Sequence, residues 1–433
     1  MRLYIYMQIE SIYKIFEKHP HIQTDSRKVK PGDIFFALKG PNFNGNVFAL
    51  QALKNGAACV LADENVVGLH EQIIYVGNAL QTLQELASYH RSQLKDIPVI
   101  AITGSNGKTT TKELLNALLN TTYKTYTTEG NLNNHIGIPL TLLRIRADAD
   151  IAVIEMGANH QGEIEGYCKY ARPTHGLITN CGKAHLEGFG GLEGVRKGKG
   201  ELFNYLKLTG GTAFVNADDP ILFDMTRGIS SVVTYGVAEG MIRGCTVDKG
   251  PLLSIKLEGD PDIIFTNLIG EYNFYNILAA CAIAKTFSVP NEKIKSAIQS
   301  YSPSNNRSQL IKTKGNTVIL DAYNANPTSM RAAIENLAEL PGTKKVLLLG
   351  GMMELGAGSE EEHLAIISLI DKYKWEMVAL VGNTYPKAPS AYLRFENVSL
   401  LSQWIRGQGF LDSTILVKGS RSMQMELVLD SIL

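Results

Sequence analysis

Cysteine is scarce and scattered: five residues stand at positions 59, 168, 181, 245 and 281, with no C-x-x-C pair among them. That spacing suggests neither a disulfide framework nor a zinc knuckle and fits a reduced, cytoplasmic setting. Net charge is missing as well. Lys plus Arg number 42 and Asp plus Glu number 42, so there is no global positive field to gather nucleic acid or anionic lipid, and any anionic ligand must be held locally. No stretch reaches the ~18 uninterrupted apolar residues of a membrane span. The opening MRLYIYMQIESIYKIF is apolar in places, but Glu10 and Lys14 interrupt it before a signal-peptide core forms, and Met7 is an alternative start to Met1. Internal repeats and low-complexity segments are absent.

What is present is an ordinary globular composition, 45% apolar and 19% charged, able to bury real cores. At 433 residues and ~100–200 residues per domain, the length suggests three domains. Residues 1–95 carry short β-like runs, IFFALKG (34–40) and ACVLAD (58–63), and end in the helix-like QTLQELASYHRSQLK (81–95). They read as a small α/β unit. A central domain over 96–303 opens with PVIAITG as a buried strand, GSNGKTT as a tight turn and KELLNALLN as an amphipathic helix. ADIAVIEMG (149–157) and THGLITN (174–180) supply further strands of a largely parallel sheet. Beyond the polar linker Ser302-Pro303-Ser304-Asn305-Asn306, residues 304–433 hold VILDAYN, KVLLLGG, EMVALVGN and STILVKGS. Each ends in a polar or Gly-rich turn, the pattern of a Rossmann-like third domain with functional residues at the carboxyl ends of its strands. The fold class is α/β throughout.

The strongest chemical signal is Thr103-Gly104-Ser105-Asn106-Gly107-Lys108-Thr109-Thr110. Gly104 and Gly107 let backbone N–H groups of Ser105, Asn106 and their neighbours close on phosphate oxygens, and Lys108 can reach the terminal phosphates. The Thr109 hydroxyl is placed for Mg²⁺, with Thr110 beside it. The usual P-loop spacing would put a glycine where Ile102 stands, so this is a shorter variant. The plainer alternative, a Gly-rich turn with a surface lysine, is weakened by the strand before it and the helix after it. Such a loop needs a metal-holding carboxylate at a neighbouring strand end, and Glu155 in IAVIEMG is the candidate, against a capping or surface role. His185, in CGKAHLEGFGG, is by composition more often structural than a ligand. Lys199, in RKGKGELF, reads as a solvated helix charge.

Seven segments in order resemble the Mur ligases: TDSRKVKPGDIFFALKG, GSNGKTT, GNLNNHIGIPLTLLR, EMGANHQGEI, AHLEGFG, DAYNANPTSM and VKGSRSMQME. The match runs over nearly the whole chain and is similar to the branch that adds D-alanyl-D-alanine to UDP-N-acetylmuramoyl-tripeptide in building peptidoglycan. It implies an ATP-dependent ligase working through an acyl phosphate, with an N-terminal UDP-sugar-binding domain, a central ATP-binding domain, no nucleic-acid or membrane partner, and a monomeric state. By resemblance, Lys108, Glu155, His185 and Lys199 are catalytic. One Mg²⁺ is assigned to Thr109 and Glu155, and a second to His185 and, in several relatives, a carbamylated lysine at the position of Lys199. Asn273 and Asn276 are assigned to adenine, Arg307 to phosphate and Asp321 to ribose; the alternatives are helix caps for the asparagines and a surface role for the arginine. Ser26 and Arg27 are assigned to the UDP-sugar, where Arg can pair bidentately with pyrophosphate, and Asn324 and Asn326 to the acceptor side. Two departures stand out: NNRSQ replaces a more usual Gly-Arg pair at the linker, and Gly351 stands where relatives commonly carry Asp. Nearby rivals are a folylpolyglutamate synthase or the ligase adding the third peptide residue; a more distant one is a P-loop ATPase that forms no amide.

Overall fold

The structure is a computed structural model that describes residues 7–64, 70–248, 250–313, 315–386 and 388–432. Residues 1–6, on which the choice of start and part of the signal-peptide reading fall, lie outside the described residues. The chain packs into two compact units. The first comprises Met1–Ile102, Tyr123–Ala158 and Gly162–Gly176; the second comprises Thr103–Thr122, Asn159–Gln161 and Leu177–Leu433. The central sequence segment contributes to both.

In the first unit, four parallel strands run in the order Ile22–Gln23, Ile34–Phe36, Cys59–Ala62, Ile73–Tyr75. The apolar runs read from sequence form the two middle strands. Phe35, Val60 and Ala62 pack on one side with Ala49, Ala52 and Ala57, small residues that let the helix Ala49–Lys54 approach closely. The helix Ala79–Gln93 starts at Asn78, whose side chain accepts from Gln81 N at 2.8 Å. A second set of parallel strands is ordered Thr125–Thr127, Ile151–Glu155, Val99–Thr103, and its register pairs Ile102 with Glu155.

In the second unit, the helix Lys108–Leu119 begins inside the Gly-rich loop itself, with Gly107 at φ 81° as its N-cap. Its buried Leu114, Leu115, Leu118 and Leu119 follow helical spacing. The strands Thr212–Asn216, Ser231–Gly236 and Ile242–Asp248 are parallel neighbours. Ser254–Leu257 and Ile263–Phe265 then continue the sheet antiparallel, a feature that the largely parallel expectation did not include.

The carboxyl-terminal sheet of the same unit has six strands: Gln309–Lys312, Thr317–Asp321, Thr414–Lys418, Lys345–Gly350, Met377–Val381 and Leu393–Phe395, in that order. All neighbours are parallel except the first pair. Alternation by two along each strand splits the apolar residues between two cores. Ile319, Leu347, Leu349, Leu380 and Leu416 face the helices Pro327–Glu339 and Ser359–Ile370, while Val318, Val346, Leu348, Ala379, Ile415 and Val417 face the helix Val398–Ile405. A sheet covered on both faces leaves its strand ends as the place for polar chemistry. Among the described residues no helix is long and apolar enough to cross a membrane.

Candidate active site

The Gly-rich loop is fixed from below. Ser105 N donates to Asn180 O at 2.9 Å, Thr179 N donates to Thr103 O at 2.9 Å, and Ser105 Oγ donates to Gly182 O at 2.7 Å. A Cβ added at Gly104, where φ is 142°, would meet Thr179 Oγ1 at 2.0 Å; one at Gly107 would meet Asn276 Oδ1 at 2.4 Å. Both glycines are therefore required by close approach as well as by backbone angle. Lys108 Nζ donates to Gly104 O at 2.6 Å and to Ser105 O at 3.2 Å, so its ammonium is folded over the carbonyls of the loop. Thr109 is buried and Thr110 partly so.

Asn273 and Asn276 lie under this loop, buried within the helix Tyr272–Thr286. Asn276 Nδ2 donates to Asn273 Oδ1 at 2.8 Å, Asn273 Nδ2 donates to Ile269 O at 2.8 Å, and Thr111 Oγ1 donates to Asn276 Oδ1 at 3.2 Å. Neither is a helix cap, since Glu271 holds that position. The pair braces the first turn of the helix that follows the loop.

Glu155 ends its strand as the sequence suggested, and it is 1% exposed, which rules out the surface alternative. Its Oε1 accepts from Asn133 Nδ2 at 2.7 Å and its backbone N donates to Thr128 Oγ1 at 3.0 Å. Asn133 belongs to the GNLNNHIG segment and had no role assigned from sequence. Ser26 and Arg27 share the short helix Ser26–Lys28 of the first unit. The Arg27 guanidinium is 86% exposed and takes both oxygens of Asp25, at 2.9 and 2.8 Å. That hydrogen-bonded pairing holds the Asp25 carboxyl down at about 2.

Lys199 corrects a sequence expectation. It is no solvated charge but 1% exposed, in the helix Leu192–Thr209, with Nζ 4.9 Å from the centroid of the Phe189 ring. The short helix Leu186–Phe189 just before that helix brings Phe189 over Lys199, a contact that residue types along the longer helix cannot announce. His185 has φ 52° and stands 2.6 Å, Nδ1 to Oε2, from Glu354 of the carboxyl-terminal region. Hydrogen bonding to His185 holds the Glu354 carboxyl below its ordinary range. Nearby, Lys183 N donates to Thr328 Oγ1 at 2.9 Å and Lys183 Nζ pairs with Glu362 at 2.5 Å.

At the carboxyl-terminal strand ends, Asp321 and Lys418 are register partners, and Oδ2 of the first lies 2.5 Å from Nζ of the second. Asp321 Oδ1 also accepts from Ser308 N at 3.1 Å. Lys418 is buried, and its Nζ donates to Asn324 O at 3.2 Å. Its position at the end of an apolar strand was the one signal that could have singled it out. The Arg307 guanidinium stacks 3.6 Å from the centroid of Tyr323, over which Arg421 also sits at 5.6 Å. The unusual linker keeps a left-handed bend without glycine: Asn305, Asn306 and Ser308 have φ of 60°, 57° and 49°, and asparagine tolerates that region better than most residues. Gly351 also has a local reason, since a Cβ there would meet Thr384 Oγ1 at 2.1 Å.

Among the described residues no three His, Cys, Asp or Glu side chains converge as a metal cage. The donors singled out from sequence are a hydroxyl, a carboxylate and an imidazole. So sparse a set fits Mg²⁺, which binds through one or two protein carboxylates and fills its shell with water and phosphate oxygens.

Residues 102–284 match the Mur ligase middle domain, residues 306–421 the Mur ligase, glutamate ligase domain, and residues 20–92 the Mur ligase family, catalytic domain. A UDP-N-acetylmuramoyl-tripeptide--D-alanyl-D-alanine ligase of Bacillus subtilis (strain 168) is 34% identical over 429 residues, covering 95% of this chain and 93% of its own. The chain belongs to the Mur ligase family. Among solved Mur ligases, MurF from Acinetobacter baumannii superposes with a TM-score of 0.86 at 31% identity, covering 95% of this chain and 93% of that one. MurF from Thermotoga maritima in complex with ADP gives 0.84 at 27% identity, covering 95% and 96%.

Proposed function

We propose that this Mur ligase joins D-alanyl-D-alanine to UDP-N-acetylmuramoyl-tripeptide at the expense of ATP, yielding the pentapeptide precursor of peptidoglycan with ADP and phosphate. A carboxylate is a poor acyl donor. The terminal carboxylate of the tripeptide therefore attacks the γ-phosphorus of ATP, ADP leaves, and an acyl phosphate forms. The amine of the dipeptide then attacks the acyl carbon, an amide bond forms, and phosphate and the amine proton depart. Both steps gather negative charge in one place, and Lys108 offsets it.

The observation that carries the reading is a hydrogen bond between the two segments the reaction must bring together: Asn326 Nδ2 of DAYNANPTSM donates to Asn106 Oδ1 of the nucleotide loop at 2.8 Å. Likeness over 95% of this chain to relatives bearing this ligase name supports the choice of substrates.

The remaining roles follow the resemblance residue by residue. Bound Mg²⁺ would supply further charge neutralisation, one ion held by Thr109 and Glu155 and a second by His185 and, once carbamylated, Lys199. Asn273 and Asn276 serve adenine while bracing the loop, Arg307 serves phosphate, Asp321 ribose, Asn324 the acceptor, and Ser26 and Arg27 the UDP-sugar. Residues 1–95, 96–303 and 304–433 act as the UDP-sugar, ATP and acceptor segments of a monomer working in the cytoplasm. The test is phosphate release from Mg-ATP with UDP-N-acetylmuramoyl-tripeptide, with and without D-alanyl-D-alanine, recording product mass. Release that needs both substrates and adds the dipeptide mass supports the reading; release indifferent to the dipeptide overturns it.

A further inference from the structure

The bond between Asn326 and Asn106 has a fixed direction, which can be worked out from the backbone outward. Asn326 is the N-cap of the helix Pro327–Glu339: its Oδ1 accepts from Ser329 N at 2.9 Å, and Ser329 Oγ accepts in return from Asn326 N at 3.1 Å. A backbone N–H can only donate, so Oδ1 of Asn326 is committed to the helix and Nδ2 is the atom left over. Nδ2 donates to Asn106, which must therefore offer its Oδ1, at 2.8 Å. The backbone of Asn106 is held separately. Its N donates to Asn180 Oδ1 at 3.1 Å, and its O accepts from Asn180 Nδ2 at 3.0 Å and Thr179 Oγ1 at 2.6 Å. With the backbone fixed, the orientation of the amide is the freedom that remains, and Asn326 removes it, because a flipped Asn106 would set donor against donor.

The consequence falls on Asn106 Nδ2. It is buried and has no hydrogen-bond partner among the described residues. Buried amide donors are rarely left unmatched in a folded protein, and an exception calls for an explanation in function or in a bound species. Asn106 lies between Ser105 and Gly107 of the phosphate loop, so the acceptor chemistry such a donor suits there is a phosphate oxygen.

We infer that Asn326 is a positioning residue for phosphoryl transfer: it orients the amide of Asn106 so that Nδ2 donates to an oxygen of the phosphoryl group being moved. This rests on the ligase reading above and changes the role given to Asn326, from a contact of the incoming dipeptide to a support of the nucleotide loop. It also ties the loop to the acceptor-side segment, so the phosphoryl donor is set only while the helix Pro327–Glu339 is seated.

The cap and the orienting bond can be separated. Asp caps a helix as well as Asn does, and its charge suits a helix N-terminus, so Asn326→Asp keeps the helix while replacing the donor with an acceptor; Asn326→Ser keeps the cap without adding charge. For both variants the expected result is an unchanged thermal midpoint and a KM for D-alanyl-D-alanine within about twofold, with kcat lower by about 100-fold, the effect of one misplaced charge-stabilising donor. By calorimetry, the non-hydrolysable triphosphate AMPPNP with Mg²⁺ binds Asn326→Ser about tenfold more weakly, as expected for one lost hydrogen bond, while Mg-ADP binds both proteins alike. Asn106→Ala shows the same losses, and combining it with Asn326→Ser adds nothing further. A raised KM for the dipeptide at normal kcat overturns the inference, as does a lowered thermal midpoint with AMPPNP affinity unchanged. If the wild-type chain releases no phosphate with these substrates, the ligase reading fails, and the contrast between AMPPNP and ADP still decides the role of Asn326.

Discussion

His185 Nδ1 and Glu354 Oε2 stand 2.6 Å apart, and both residues occupy the left-handed backbone region, with φ of 52° and 63°. Neither is glycine, so each carries roughly 1 kcal/mol or more of backbone cost that the surrounding contacts must offset. A carboxylate close to Nδ1 favours a proton on that nitrogen, which presents Nε2 as the ligand. Glu354→Gln is therefore expected to raise the Mg²⁺ concentration needed for half-maximal phosphate release by about 10- to 100-fold, with the nucleotide dependence little changed. A Mg²⁺ titration of the variant checks this; an unaltered curve would remove Glu354 from the account.

Lys108→Ala is expected to lower turnover by at least about 100-fold, because the fixed positive charge that meets the transferring phosphoryl group is lost. Its ammonium donates to two loop carbonyls at the protein's polar edge rather than packing in an apolar core, so cooperative unfolding should persist. Circular dichroism beside the phosphate assay separates the two effects.

Lys418→Met leaves Asp321 as a mostly buried carboxylate without its cation. Removing one partner of a buried pair costs about 3–5 kcal/mol, and the low end applies here because Asp321 keeps the Ser308 N–H and some contact with water. Urea unfolding should show that loss. The double change with Asp321→Asn should recover much of it, since no lone charge then remains.

His363 gives the stability a pH dependence. Its Nε2 accepts from Met352 N at 3.0 Å and its Nδ1 donates to Ser359 O at 2.7 Å, so the ring is neutral where it sits, and burial pulls it below its usual range. The unfolded chain then binds the proton more readily than the folded one. The contribution to stability is complete above about pH 6.5 and is lost as pH falls below that toward the folded value. Thermal midpoints measured from pH 7.5 to 5 should fall more steeply for the wild type than for His363→Gln, whose amide can still accept from Met352. Equal slopes would contradict this assignment.

Much of the fold was legible because continuous apolar runs such as VIAIT, IAVIE, KVLLLG and TILVK bury on both faces and end at polar turns. The antiparallel strands from Ile242 to Phe265 were not, since exposed residues such as Val247, Ile263 and Phe265 blur the alternation that marks a strand. In the candidate site, the nucleotide loop declared itself through local spacing, and Glu155 through its place at a strand end. Asn133, Asn180, Glu354 and Lys418 escaped notice for one physical reason. Each acts on a side chain or loop far away in sequence, and residue type carries no record of a partner 22, 74 or 97 positions distant. Lys199 was misread because the ring that covers it, Phe189, belongs to a different element.

The Cβ-to-hydroxyl distance of 2.1 Å between positions 351 and 384 couples the choice of residue at the two positions. Aspartate at 351 therefore needs the Thr384 side chain to turn away from the place it now holds, so the residue that suits one position depends on the residue at the other. A consensus-based redesign that introduces aspartate alone meets that hydroxyl, and pairing the change with Thr384→Ala removes the obstruction.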